Sequence, residues 1–383
     1  MKTVLILGAG IGGIEIAREL SINSGNEDDI QIIKIIVFEK EDKSVFSPSL
    51  PWLMVGKRET DQIYKSTKNI EASGLEVVKG EIENIDPENI SVTVKNKTFK
   101  GDYMVVSLGV EQKAKFKLDD YGYNFFQLKG AEGFHEQLEK FKGGKIAVLV
   151  SSLPYKSPAA PYEAAMLIQD YITNKGLSDK TEISIYTPEK EPMEFAGEGP
   201  SSELKSLLEK KGIKYYSSHQ ITSASKDSLE FDNYENYNFD LLAFTPEHLC
   251  PAVIRKSSLV GKSGWIEVNE LSMETAYPNV YAIGDIVELK LGSGIPLPKL
   301  GVFARSQAKI VAHNISRRIG NKEANKTFNA EGQYYIESGD GKAIPAKAHF
   351  YDPSSEKVEV NSPDNWGHIK KWWSEKYWLF KNF

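Results

Sequence analysis

Residues 1–20 read MKTVLILGAGIGGIEIAREL: an apolar run, Met1 to Leu7, passes without a linker into Gly8-Ala9-Gly10-Ile11-Gly12-Gly13 and then into IEIAREL. The run is short, apolar and β-branched, as a buried strand is, and the segment after the glycines is predicted to be a helix over residues 12–20. The G-x-G-x-x-G spacing joins the two by a turn suited to a dinucleotide. Gly8 permits the sharp turn, Gly10 leaves bare backbone for a pyrophosphate, and Gly13 lets the helix pack close to the strand. The free N–H groups at the helix start would hold the diphosphate.

Outward from this unit, a second apolar run, IQIIKIIVFEK, carries Glu39, an acid placed to take a ribose hydroxyl. Glu39 lies 26 residues beyond Gly13, against about 20 in the usual pattern. The polar stretch SINSGNEDD, residues 21–29, accounts for the excess as a longer loop.

Composition narrows the function. A chain of 383 residues implies two or three domains, and 40% hydrophobic with 26% charged residues is ordinary for a soluble protein. A net charge of −6 gives no basic field, so nucleic acid is not an expected partner. The one cysteine, Cys250, allows no intramolecular disulfide and no C-x-x-C pair, and its expected role is buried packing. Six scattered histidines without H-x-x-x-H spacing predict no metal site. The first strand begins near Thr3, leaving no room for a signal peptide, and no run of about 18 apolar residues offers a membrane span.

Along the chain, KSVFSPSLPWLMVG reads as a loop crossing a cofactor, with Phe46, Leu50 and Trp52 as its apolar surface. A short helix is predicted over 61–73, a small β-meander from EVVKGEIENID through KTFKGD, and a buried strand over 102–110 ending at Gly109. GGKIAVLVSS, residues 143–152, opens a second strand–helix–strand series that runs to about Pro251. Strands are predicted at 264–270 and 279–289, a long amphipathic helix at 302–320, and strands again over 327–360 around the turn Ser338-Gly339-Asp340-Gly341.

With these motifs placed, the chain resembles the two-dinucleotide-domain flavoproteins of the pyridine nucleotide-disulfide oxidoreductase superfamily. The resemblance rests on the glycine motif, the strand ending at Gly109, and the string Thr275-Ala276-Tyr277-Pro278-Asn279-Val280-Tyr281-Ala282-Ile283-Gly284-Asp285. PYKSPAAPYEAAMLI (154–168), PLPKLGVFARSQAKIVAHNI (296–315) and the aromatic, lysine-rich C-terminus make it most similar to sulfide:quinone oxidoreductases and flavocytochrome c sulfide dehydrogenases, and less closely to type II NADH dehydrogenases. The fold so implied is α/β: two Rossmann-like dinucleotide-binding domains and a C-terminal β/amphipathic-helix region. An FAD domain would span 1–112 and 246–320, the second domain 113–245, and the C-terminal region 321–383.

The resemblance implies FAD, with Asp285 on its ribityl chain, Lys299 near its pyrimidine end and Glu163 facing the ring as a proton relay, and a quinone beside it with Phe303 in its pocket. Surface solvation for Lys299, helix-dipole compensation for Glu163 and an amphipathic core face for Phe303 are the plain alternatives. The redox cysteine positions of sulfide:quinone oxidoreductases fall here on Ser157 and Tyr334, so ordinary sulfide oxidation is not expected. The second-domain turn has no glycine between Val148 and Glu163, which weighs against a nicotinamide nucleotide there.

The tail holds four of the six tryptophans, Trp366, Trp372, Trp373 and Trp378. On a helix, Trp366, Ile369, Trp373, Tyr377 and Phe380 share one face, flanked by Lys370, Lys371, Lys376 and Lys381. That is the composition of a helix lying in a membrane interface, with core packing or a homodimer interface as its other uses. The expectation is an FAD-dependent oxidoreductase, peripheral on the cytoplasmic side of the cell membrane, passing electrons from an unidentified donor to a quinone. A divergent type II NADH:quinone oxidoreductase and a non-catalytic flavoprotein subunit are the alternatives.

Overall fold

The apolar runs Lys2–Leu7, Ile33–Glu39 and Tyr103–Val106 are buried on both faces, as parallel strands are when helices cover the sheet. In the computed structural model, which describes residues 1–23, 33–72, 75–291, 294–352 and 357–381, they form a five-stranded parallel sheet. Its order is Val280–Ala282, Tyr103–Val106, Lys2–Leu7, Ile33–Glu39, Glu76–Lys79. The helix Ile11–Asn23 follows the first strand and packs against the long helix Gly301–Ile319. The lengthened loop expected at 21–29 lies outside the described residues beyond Asn23.

A second parallel sheet repeats the pattern in the order Tyr123–Asn124, Leu241–Thr245, Gly144–Val150, Thr181–Tyr186, Lys214–Tyr216. The helix Ala160–Asn174 leaves its central strand and is buried along most of its length. Three antiparallel strands, Glu331–Gly339, Lys342–His349 and Val358–Val360, then pack on this helix and receive the C-terminal helix Asn365–Lys381.

Three local expectations are corrected. Residues 61–73 hold a 3-10 turn, the strand Tyr64–Ser66 and the short helix Lys68–Ala72, because Tyr64–Ser66 pairs with Lys43–Val45 instead of continuing a helix. Glu76–Lys79 is not part of the meander but the edge of the first sheet; the meander is Ile82–Asp86, Ser91–Val94 and Lys97–Lys100. Residues 264–270 form no strand, only isolated bridges through Ile266.

Candidate functional site

The glycine turn has the three properties its spacing implied. Gly8 has φ +98°, and a Cβ there would lie 2.8 Å from the Ser107 carbonyl oxygen. A Cβ on Gly13 would lie 1.9 Å from the Gly8 oxygen, so only glycine permits this approach. A Cβ on Gly10 would meet nothing within 4 Å: the backbone there faces open space. The Ser107 hydroxyl, which sequence reading missed, donates to Leu7 O and Gly8 O at 2.9 and 3.0 Å and holds the turn to the neighbouring strand. Gly109, at φ +65°, also borders open space.

Glu39 ends its strand beside this turn. Its carboxylate accepts from Ala9 N at 2.7 Å and from Lys40 N and Glu41 N at 2.8 and 2.9 Å. A carboxylate has about four acceptor positions, so one remains for a hydroxyl donor. Asp285 follows Gly284 at the end of the Val280–Ala282 strand, and its carboxylate makes no hydrogen bond or ion pair among the described residues. A bare phosphate cradle, an acid with one acceptor position left and a second acid without a partner fit a dinucleotide with sugar hydroxyls at both places.

Lys299 is more buried than a solvated lysine would be. Its Nζ donates to the carbonyls of Asp285 and Val287 at 2.6 and 2.9 Å and sits 3.8 Å above the Trp265 ring. Burial pulls its pKa down to about 8, against the pull of Asp285. Two of its three donors are therefore committed to backbone.

A cavity of about 170 Å³ opens between the N-terminal residues of the two packed helices, Ile11 and Gly301, and the start of the helix Ala160–Asn174. Ser157, Glu163 and Tyr334 all border it, so Tyr334 meets two residues that lie far from it in sequence. Its walls are largely apolar, with Phe46 and Phe126 among them. The Tyr334 hydroxyl is buried without a hydrogen-bond partner among the described residues, and burial raises its pKa far above the usual range. Ser157 has φ +51° and donates its backbone N–H to Lys299 O at 2.8 Å.

Glu163 sits in the first turn of Ala160–Asn174, 6% exposed, and pairs with Lys371 of the C-terminal helix. Burial raises its pKa to about 7, opposed by Lys371 and reinforced by the nearby Glu337. Lys371 also lies 4.8 Å from the Trp52 ring centroid, as Arg58 does at 4.2 Å. Sequence reading assigned Lys371 to the solvated flank of the tail; it is instead 5% exposed and borders the cavity. The signal was the spacing Lys371, Glu375, Trp378, a stripe opposite the aromatic one. Lys156, also missed, borders the cavity without a hydrogen bond or ion pair among the described residues.

Phe303 does not border this cavity. It packs edge-on against Phe328 and Phe350 at 6.0 and 5.9 Å and reaches only a small recess beside Asp285, while its neighbour Val302 lines the cavity. Cys250 is 3% exposed, and burial pushes its thiol up to about 11, so it is no substitute for a reactive thiolate.

In the second sheet, the turn after Gly144–Val150 is filled by side chains. Tyr155 and Tyr162 donate their hydroxyls to Glu189 Oε2 at 3.0 and 2.5 Å, and Thr187 donates to the same atom at 3.0 Å. Glu189 is 6% exposed and its pKa is raised by burial.

The C-terminal helix presents Trp366, Trp373, Tyr377 and Phe380 to solvent, 68%, 61%, 47% and 87% exposed, with Ile369 and Trp372 beside them. Trp378, expected with the other tail tryptophans at the membrane, is instead wholly buried against Phe46, with ring centroids 5.3 Å apart. Lys381 points back to Glu15 and Glu19 of the first helix at 3.6 Å. Among the described residues no helix is long and apolar enough to cross a membrane.

The family model described as pyridine nucleotide-disulphide oxidoreductase matches residues 2–308. The sulfide-quinone reductase of Aquifex aeolicus is 23% identical, over 99% of this chain and 91% of its own. The mitochondrial sulfide:quinone oxidoreductase of Mus musculus is 21% identical, over 93% of this chain and 82% of its own. An alternative NAD(P)H-ubiquinone oxidoreductase of Arabidopsis thaliana is 22% identical, over 83% and 68%. The crystal structure of the Aquifex aeolicus sulfide:quinone oxidoreductase superposes over 100% of this chain and 91% of that one, with a TM-score of 0.87 at 21% identity.

Proposed function

The chain belongs to the pyridine nucleotide-disulphide oxidoreductase family, and from that premise we propose that it reduces a quinone at a membrane surface. The family relatives are flavin-dependent oxidoreductases, and the cofactor is FAD. Gly10 and the start of the Ile11–Asn23 helix would hold its diphosphate, Glu39 and Asp285 its sugar hydroxyls. Bound there, FAD supplies two-electron acceptance and release; this chain's residues bind it, shape the adjoining cavity and manage protons.

The observation that carries the reading is Glu163: a carboxyl group with pKa about 7, bordering an apolar cavity beside the FAD-holding helices. A quinone takes up two protons with two electrons, and an acid poised near neutrality is suited to donate them. Lys371 holds the carboxylate left behind. The exposed aromatic face of the C-terminal helix, with Lys370 and Lys376 at its margins, would rest in the interface of the cell membrane on its cytoplasmic side and bring the cavity to a lipid-soluble acceptor.

The donor is neither sulfide acting through a cysteine pair nor NADH bound in the second unit. The cysteine positions hold Ser157 and Tyr334, and the Tyr155–Tyr162–Glu189 cluster occupies the turn where a diphosphate would need backbone donors. Anaerobic mixing of the FAD-loaded protein with each, followed by a quinone, tests this. Slow flavin bleaching by both and rapid reoxidation by the quinone are expected; rapid bleaching by NADH would instead make it an NADH:quinone oxidoreductase.

A further inference from the structure

We propose that His368 and Glu337 form a proton intake that connects solvent to Glu163, with His368 as the outer member. This rests on the reading of the cavity as a quinone site. A quinone lying in that cavity blocks its mouth, so an acid within must be reprotonated from another side. The other side of Glu163 is where the Glu331–Gly339 strand and the C-terminal helix meet.

His368 has a side chain 30% exposed, and its Nδ1 lies 3.0 and 2.9 Å from the two carboxylate oxygens of Glu337. Glu337 is 0% exposed, and its charge pushes the pKa of Glu163 up. Lys371 stands one helical turn after His368 and pairs with Glu163, so His368 and Lys371 of one helix meet the two buried acids in register. The Trp52 ring closes the cluster, edge-on to His368 at 5.8 Å, with Arg58 across its face and Glu375 paired to Arg58 at 2.9 Å. With a second buried acid acting on it, Glu163 favours its protonated form.

Reduction of one quinone takes two electrons, which the reduced cofactor supplies, and two protons. For each proton, the Glu163 O–H bond breaks and a quinone oxygen gains an O–H bond. Glu337 then returns a proton to the Glu163 carboxylate, the His368 imidazolium reprotonates Glu337, and water reprotonates His368. His368 and Glu337 touch neither substrate nor cofactor in this scheme; they act through Glu163, as positioning and supply residues.

The test uses full-length, FAD-loaded wild type, His368→Gln and Glu337→Gln, each reduced with dithionite under anaerobic conditions. Reoxidation by a short-chain benzoquinone is compared with reoxidation by ferricyanide, which takes electrons and no protons, from about pH 6 to about pH 9. Both variants are expected to slow the quinone reaction about tenfold or more with the ferricyanide rate unchanged, and added imidazole is expected to restore His368→Gln. Wild-type quinone rates in His368→Gln across that range overturn the intake. Equal slowing with both acceptors also overturns it, because it marks a packing role. A wild type that ferricyanide oxidises and the quinone does not would sink the quinone reading itself, and the intake with it.

Discussion

Gly10 and Gly13 stand three residues apart in one motif, yet their substitutions should fail in opposite ways. Nothing of the protein meets a Cβ on Gly10, so Gly10→Val should fold with unchanged stability of the apoprotein and lose FAD. A Cβ on Gly13 would meet backbone at 1.9 Å, so Gly13→Ala should lower the melting temperature of the apoprotein itself. Flavin content and apoprotein melting curves, measured together, check both. These roles were legible in the sequence because each follows from spacing alone. The state of Glu163 was not, because its partner is 208 residues away and its burial is a property of three elements. With the acid at about 7, quinone reduction should be fastest below that pH and decline as pH rises through it, since the proton-donating form is the one lost. Glu163→Gln should cost about 10²-fold or more in kcat and flatten this inflection. A profile that keeps the same inflection in the variant would place the acid elsewhere.

The C-terminal helix carries two stripes with different duties. The outer one, rich in tryptophan, could be read from composition; that Lys371, Glu375 and Trp378 turn inward could be read only by asking which residues lie opposite it. Serine at both Trp373 and Phe380 should weaken binding to anionic vesicles severalfold, more so with added salt, while leaving stability within about 0.5 kcal/mol. Unchanged vesicle binding with loss of a dimer in sedimentation would instead make the outer face an oligomer interface. Removing the whole helix is a poor test of anchoring, because it strips Glu163 and Arg58 of their partners and uncovers the site of Trp378. The inner stripe has its own test. Lys371→Met should cost about 3 kcal/mol in urea unfolding at pH values where Glu163 is charged, and less below about 7, where the acid can be neutral.

At the scale of the whole molecule, two parallel sheets of like design differ at the equivalent turn: the first leaves bare backbone, and the second fills the space with Tyr155, Tyr162 and Glu189. The alternation of strands and helices made both sheets legible, and the missing glycines flagged the second turn. The tyrosine cluster was hidden, because Glu189 lies beyond the next strand. Tyr155→Phe with Tyr162→Phe should leave FAD bound and NADH-driven bleaching still slow, since removing two hydroxyls restores no backbone donor; fast bleaching in stopped-flow records would refute this. The first helix and the last also meet, Lys381 against Glu15 and Lys371 closing over a cavity that begins at Ile11. During synthesis on the ribosome, then, the glycine turn emerges first, the residues placed to hold FAD are all present only once Asp285 has been made, and Glu163 stays without its counter-ion until the chain has passed position 371. A nascent chain stalled between positions 285 and 371 would carry the residues placed to hold FAD but leave Glu163 without its counter-ion.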